Sequence, residues 1–222
     1  MKALIIGASR GLGYALAAEF LGRGWQVTAT ERTPSALHEL AGVTVETVDI
    51  AVPEQVAALR ERLAGSVFDL LFVNAGTNYT TDPSATFADV STEDFVQVMV
   101  TNALSPMRVV EALQDLVPAP GTIGVMSSGQ GSVADNTNGG FEVYRASKSA
   151  LNQLMRSFAA RHADDSRTLL LMAPGWVKTD LGGPSARLTI DESIPGVADT
   201  IEAWAGKGGL HYLDRQGQTV NW

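Results

Sequence analysis

Ala3-Leu4-Ile5-Ile6-Gly7-Ala8-Ser9-Arg10-Gly11-Leu12-Gly13 is an apolar run that breaks into three glycines spaced Gly-x-x-x-Gly-x-Gly and leads into an amphipathic segment. Ala3 to Ile6 reads as a buried strand, far too short to span a membrane and without an export-signal pattern. Gly7, Gly11 and Gly13 let the backbone turn tightly and come close to a ligand, while Ser9, Arg10 and Leu12 lie between them. A helix over Leu12 to Gly22 would then present its first N–H groups and the positive end of its dipole, which together make a phosphate cradle. The spacing differs from the commoner Gly-x-Gly-x-x-Gly fingerprint, and a plain packing turn could use the same glycines. The position straight after a first strand favours phosphate.

The strand–turn–helix pattern repeats along the 222 residues. Val27 to Thr30, Thr44 to Val48, Phe68 to Val73, Gly121 to Met126 and Leu169 to Ala173 read as buried strands, with Leu210 to Leu213 as a short last strand at an edge. Helical periodicity predicts helices over Pro34 to Leu40, Pro53 to Leu63, Glu93 to Val117, Val143 to Ala163 and Val197 to Lys207, the third broken or kinked between Asn102 and Pro106. This alternation implies an α/β fold, a Rossmann-type doubly wound parallel sheet of about seven strands with helices on both faces. Composition shifts nowhere along the chain, so residues 1–222 are expected to form a single domain. Ser132 to Glu142 and Gly182 to Pro195 carry neither period and are read as loops beyond the fifth and sixth strands, where open α/β sheets bind ligands.

The formal net charge is −8 and the basic residues are scattered, so a nucleic-acid backbone would be repelled. There is no cysteine, which removes disulfides and thiolate metal sites. His38, His162 and His211 lack ligand-like spacing, so no metal centre is expected. These features suit a cytoplasmic protein acting on a small molecule, with no nucleic-acid or membrane partner.

Tyr144-Arg145-Ala146-Ser147-Lys148 places a phenol and an ammonium four residues apart on one helix face. A neighbouring cation favours the phenolate, so Lys148 is expected to pull the Tyr144 pKa down from about 10. Such pairs also occur on ordinary solvated helices, and the rest of the chain decides between the two. Asn74-Ala75-Gly76 ends the fourth strand, Asn102 lies in a helix, Ser127-Ser128 ends the fifth strand and Pro174-Gly175 follows the sixth. In this order and on these elements the chain resembles the short-chain dehydrogenase/reductases over its whole length. Asp135-Asn136-Thr137-Asn138-Gly139-Gly140 ahead of Tyr144, Pro174-Gly175-Trp176-Val177-Lys178-Thr179-Asp180 and the ending in Trp222 resemble the C-factor and sniffer-type carbonyl reductase branch.

The resemblance implies an NAD(P)(H)-dependent oxidoreductase that interconverts a carbonyl and an alcohol by hydride transfer. In it Tyr144 is the proton donor and acceptor, and Lys148 lowers the tyrosine pKa and binds the nicotinamide ribose. Ser128, preferred over Ser127, holds the substrate oxygen, and Asn102 carries a water that links Lys148 to solvent. Asp49 with Ile50 meets the adenine, Asn74, Ala75 and Gly76 line its ribose, and Pro174, Gly175, Val177 and Thr179 hold the carboxamide. Tyr144 follows Ser128 at a longer interval than most of the family shows, so the intervening loop must bulge, with Gly139-Gly140 supplying the turn. Trp176 or Phe141 would then offer an apolar wall to the substrate.

An acid at the end of the second strand accepts from a ribose 2′-hydroxyl and repels a 2′-phosphate. Glu31 sits there and points to NAD(H), while Arg32 beside it and Arg10 in the glycine turn are suited to a phosphate. Two arginines outweigh one carboxylate if Glu31 turns aside, which favours NADP(H). Val109, Val110, Leu113 and Leu116, and Leu151, Leu154, Met155 and Phe158, look apolar on more than one stripe, as in a homodimer or homotetramer. A dinucleotide-binding regulatory protein is the rival reading, but it would not need the Asn-Ser-Tyr-Lys set.

Overall fold

The computed structural model describes residues 1–80, 82 and 84–222. Seven strands form one parallel sheet: β1 (Lys2–Ile6), β2 (Gln26–Glu31), β3 (Val43–Thr47), β4 (Leu70–Val73), β5 (Thr122–Met126), β6 (Thr168–Ala173) and β7 (Gly209–Asp214). Their order is β3-β2-β1-β4-β5-β6-β7, so the chain winds outward from β1 to one edge, then returns to β4 and winds to the other. The crevice between β1 and β4 is therefore the topological switch point, where doubly wound sheets take ligands.

Strand residues are apolar on both faces because both faces are covered. Leu4 and Ile6 of β1 pack with Val56 and Leu59, Val109 and Val110, and Leu151 and Phe158. These come from α2 (Pro53–Arg62), α4 (Ser105–Leu113) and α5 (Glu142–Arg161). Ala3 and Ile5, one residue out of phase, pack with Leu16 and Phe20 of α1 (Gly11–Gly22) and Ile194 and Val197 of α6 (Ile190–Trp204). Each fully buried Leu or Phe contributes about 1.5–3 kcal/mol. Arg23, just past α1, holds that helix to α6 through Glu19, Asp199 and Glu202 at 2.8, 2.8 and 2.7 Å.

Several expected boundaries move. Pro34 to Leu40 is not a full helix but a single 3₁₀ turn, Ala36–Glu39, whose one fully buried residue is Leu37, with Leu40 partly buried against the same core. The helix expected from Val197 starts at Ile190, so the second half of the Gly182 to Pro195 connection is helical and Pro195 lies within α6. A capping box between Thr189 and Glu192 sets that start, outweighing the proline. The break expected near Asn102 is a π turn, Val100–Leu104, between α3 (Thr92–Met99) and α4.

The double apolar stripes have a different origin from the one expected. Val109, Val110, Leu113, Leu116, Leu151, Met155 and Phe158 are all buried inside this one chain, and only Leu154 keeps 39% exposure. They are spent on the sheet and on neighbouring helices, so they carry no argument for a second subunit.

Candidate active site

The glycine turn is built from three strands. Gly7 N–H donates to Thr30 Oγ1 at 3.0 Å, Ala8 N–H to the Thr30 carbonyl at 2.7 Å, and Asn74 Nδ2 to the Gly7 carbonyl at 2.9 Å. Gly7 has φ +82°, and a Cβ there would lie 2.9 Å from Ala75. A Cβ on Gly13 would come within 2.2 Å of the Gly7 carbonyl and 2.6 Å of Asn74 Nδ2. Gly13→Ala is therefore expected to spread the turn and destabilise the fold by about 1–3 kcal/mol, read by urea denaturation. An unchanged midpoint would mean the turn has slack. Arg10, the residue before α1, gives no side-chain cap, so the first N–H groups of the helix stay available to a ligand.

From this turn one cleft of about 1500 Å³ runs along the carboxyl edge of the sheet. Gly7, Ser9, Arg10, Gly11 and Leu12 line it, with Glu31 and Arg32 at the end of β2, Asp49 and Ile50 after β3, and Asn74, Ala75 and Gly76 after β4. Ser128, Tyr144, Lys148, Pro174, Gly175, Val177 and Thr179 line it farther along. Gly13 and Asn102 stand behind the wall rather than in it. Phe141 and Trp176 also line the cleft, at the positions read as an apolar wall.

Ser127 and Ser128 part company at the end of β5. Ser127, though it borders the cleft, is buried and its hydroxyl is engaged by Asn152, donating to Oδ1 at 2.6 Å. Ser128 faces the cleft, where its hydroxyl acts to lower the Tyr144 pKa. Its main-chain carbonyl accepts from the Tyr212 hydroxyl, a contact that sequence reading missed because Tyr212 looked like one more apolar residue of an edge strand. Thr30, which shapes the glycine turn, was missed because as the last residue of a predicted strand it carried no motif of its own.

Asn102, fully buried in the π turn, clamps the segment after β4. Its Oδ1 accepts from Thr77 N–H at 2.7 Å, while Nδ2 donates to the Thr77 carbonyl at 2.8 Å and to Ser147 Oγ at 2.9 Å. Both amide protons are engaged within the protein, so the side chain fixes the Thr77 loop to the helix that carries Ser147. Thr179 likewise builds its own turn, accepting from Gly182 N–H at 3.0 Å.

The loop between Ser128 and Tyr144 does bulge. Gly139 and Gly140 have φ +67° and +72°, and Phe141, directly before α5, has φ +50°. A bulky residue in this left-handed region costs of order 1 kcal/mol, held here where Phe141 faces the cleft.

The electrostatics run against the expectation for Tyr144. Burial pushes its hydroxyl up to about 12, with the Ser128 hydrogen bond opposing and Tyr212 adding to the rise. The same burial lowers Lys148 from the usual 10.5 to about 8. Lys148 Nζ donates to the Met126 carbonyl at 2.9 Å and lies 5.7 Å from the centre of the Tyr144 ring. Desolvation thus raises the phenol more than a distant, itself desolvated ammonium can lower it.

Among the described residues no cluster of side chains could hold a metal ion, and no helix is long and apolar enough to cross a membrane. The geometry defines a doubly wound α/β protein with Ser128, Tyr144 and Lys148 lining one cleft at the carboxyl edge of its sheet. Residues 1–187 match the short chain dehydrogenase family, and the chain belongs to that family of oxidoreductases. It is similar to a short-chain dehydrogenase/reductase of Burkholderia multivorans solved with bound NADP, at 59% identity and TM-score 0.96 over 100% of this chain and 99% of that one. The carbonyl reductase Sniffer of D. melanogaster superposes with TM-score 0.87 at 27% identity, again over 100% and 99%. The 1-hydroxy-2-glutathionyl-2-methyl-3-butene dehydrogenase of Rhodococcus sp. (strain AD45) is 30% identical over 99% of this chain and 98% of its own length.

Proposed function

We propose that the protein is an NADP(H)-dependent reductase of a small ketone or aldehyde, able to run in reverse as an alcohol dehydrogenase, and that it works in the cytoplasm. The carrying observation is that Ser128, Tyr144 and Lys148 line the same cleft as the glycine turn. A dinucleotide suits the residues present. The turn has no room for a Cβ at Gly13, α1 offers uncapped N–H groups, and the cleft is larger than the 300–1000 Å³ usual for one small ligand.

The glycine turn and α1 would hold the pyrophosphate, Asp49 and Asn74 the adenosine end, and Lys148 with the Val177 to Thr179 turn the nicotinamide end. Bound there, the dinucleotide supplies the hydride for reduction or takes it up in oxidation. Tyr144, protonated at neutral pH, delivers the proton to the carbonyl oxygen. Ser128 Oγ orients that oxygen, and Ser128 and Tyr144 line the same stretch of the cleft. Lys148 stabilises the phenolate left after transfer, and Asn102 keeps the Thr77 segment fixed beside it.

NADP(H) is favoured because Arg10 and Arg32 stand exposed at the adenosine end while the Glu31 side chain is turned away. Arg10 pairs with Asp180 at 2.9 Å, but both are 78% exposed, and exposed pairs of this kind contribute little, so Arg10 can change partner readily. The likeness to the NADP-bound Burkholderia protein supports the same choice. A panel of ketones and aldehydes assayed by NADPH and NADH absorbance tests the reading. Turnover of at least one carbonyl with NADPH and a higher kcat/KM than with NADH is expected. Dinucleotide binding without turnover of any carbonyl or alcohol would turn the reading towards a regulatory protein.

A further inference from the structure

The carboxylate at the end of β2 is tied down by its own loop. Glu31 closes the strand, and its side chain is 1% exposed. Oε2 accepts from Ser35 Oγ at 2.6 Å and Oε1 from His38 Nε2 at 2.7 Å. Both oxygens are thus engaged by the single 3₁₀ turn where a full helix was expected, and Ser35 starts that turn by accepting from Leu37 N–H at 3.3 Å. The backbone is pinned too, since Val48 N–H donates to the Glu31 carbonyl at 2.9 Å. The hydrogen bonds hold the acid ionised despite its burial, with Ser35 and His38 both lowering its pKa against desolvation.

An unengaged acid here accepts from a ribose 2′-hydroxyl and repels a 2′-phosphate. We propose that the Ser35–His38 turn is a specificity element which sequesters Glu31 and leaves Arg10 and Arg32 to meet a 2′-phosphate. This inference rests on the proposed use of NADP(H) and deepens it, assigning the choice of dinucleotide to two residues of a surface turn. Ser35 and His38 are positioning residues that act through Glu31. Two independent parts fit together: an acid whose two oxygens are held by the polar side chains of the following turn, and two exposed arginines on the same cleft.

The test is equilibrium binding, by fluorescence of NADPH and NADH, to the wild type, His38→Ala, Ser35→Ala/His38→Ala and Ser35→Ala/His38→Ala/Glu31→Gln, with folding checked by circular dichroism. Freed, Glu31 should lower the NADPH over NADH affinity ratio by about tenfold in the double variant, a modest coupling free energy. Glu31→Gln on that background should restore the ratio, which a merely collapsed turn would not do. A double variant that keeps the wild-type ratio, or one whose loss Glu31→Gln fails to repair, overturns the inference and leaves the cofactor reading standing. A wild type that binds NADH at least as tightly as NADPH overturns both.

Discussion

Tyr144→Phe is expected to lower kcat for carbonyl reduction about a hundred- to ten-thousand-fold, the usual contribution of a placed proton donor. NADPH affinity should stay within about a factor of two, because a change confined to the chemical step leaves binding alone. The variant removes one oxygen and keeps the ring, so the packing of α5 is undisturbed. The size of the effect follows from the site's electrostatics. With its hydroxyl pushed up to about 12, Tyr144 is fully protonated at neutral pH and ready to donate. Ser128 lines the same cleft but, with an alcohol's weaker acidity, does not replace Tyr144 as donor. Reduction should therefore be the easy direction at neutral pH, while oxidation, which needs the phenolate, should accelerate as pH rises. Single-turnover rates beside dissociation constants would show this, and a kcat close to the wild type's would remove Tyr144 as the donor.

Lys148→Met is expected to damage function and spare the fold. Losing the ammonium removes both the group that steadies the phenolate and a cation in the dinucleotide cleft, so kcat/KM should drop by at least about a hundredfold. Stability should move the other way. A lysine shifted from 10.5 to about 8 by burial weakens the folded state at pH 7 by about 3 kcal/mol. Methionine avoids that penalty and loses one hydrogen bond to the Met126 carbonyl, worth about 1 kcal/mol. A net gain of about 1–2 kcal/mol at pH 7 is expected from urea denaturation. Between about pH 8 and 10.5 the unfolded chain still holds the lysine proton that the folded chain has released, so wild-type stability rises with pH across that window. The advantage of the variant should shrink over the same interval. A variant less stable than the wild type at pH 7 would mean that the buried ammonium is compensated by more than one carbonyl.

The strands were legible because a sheet buried on both faces writes itself as unbroken apolar runs, as Leu70–Val73 and Leu169 to Met172 do. The glycine turn and the Tyr144–Lys148 pair were legible because spacing alone brings them together. What escaped the sequence was decided by tertiary contact. Pro34 to Leu40 has helical spacing, but only Leu37 is fully buried, Leu40 lies at the margin of the core, and His38 is drawn to Glu31. Pro195 reads as a stop, although Thr189 and Glu192 spell a helix start that could have been found. The direction of the tyrosine shift depends on burial, which no spacing rule contains. Tyr212 touches the Ser128 carbonyl from a strand two places away in the sheet, beyond the reach of any local pattern.

The π turn at Val100–Leu104 does more than house Asn102. Its hydrogen bonds span one residue more than those of an α-helix, so one amino acid is inserted into an otherwise regular rod. Each α-helical residue advances the azimuth by about 100°, and the insertion rotates everything after it by that angle. α3, which packs against α5, and α4, which packs against β4 and α2, therefore present their apolar stripes in different directions. Deleting the extra residue would swing Val109, Val110 and Leu113 away from the sheet. The irregularity works as a gear between two helix faces, so the core itself selects against straightening it.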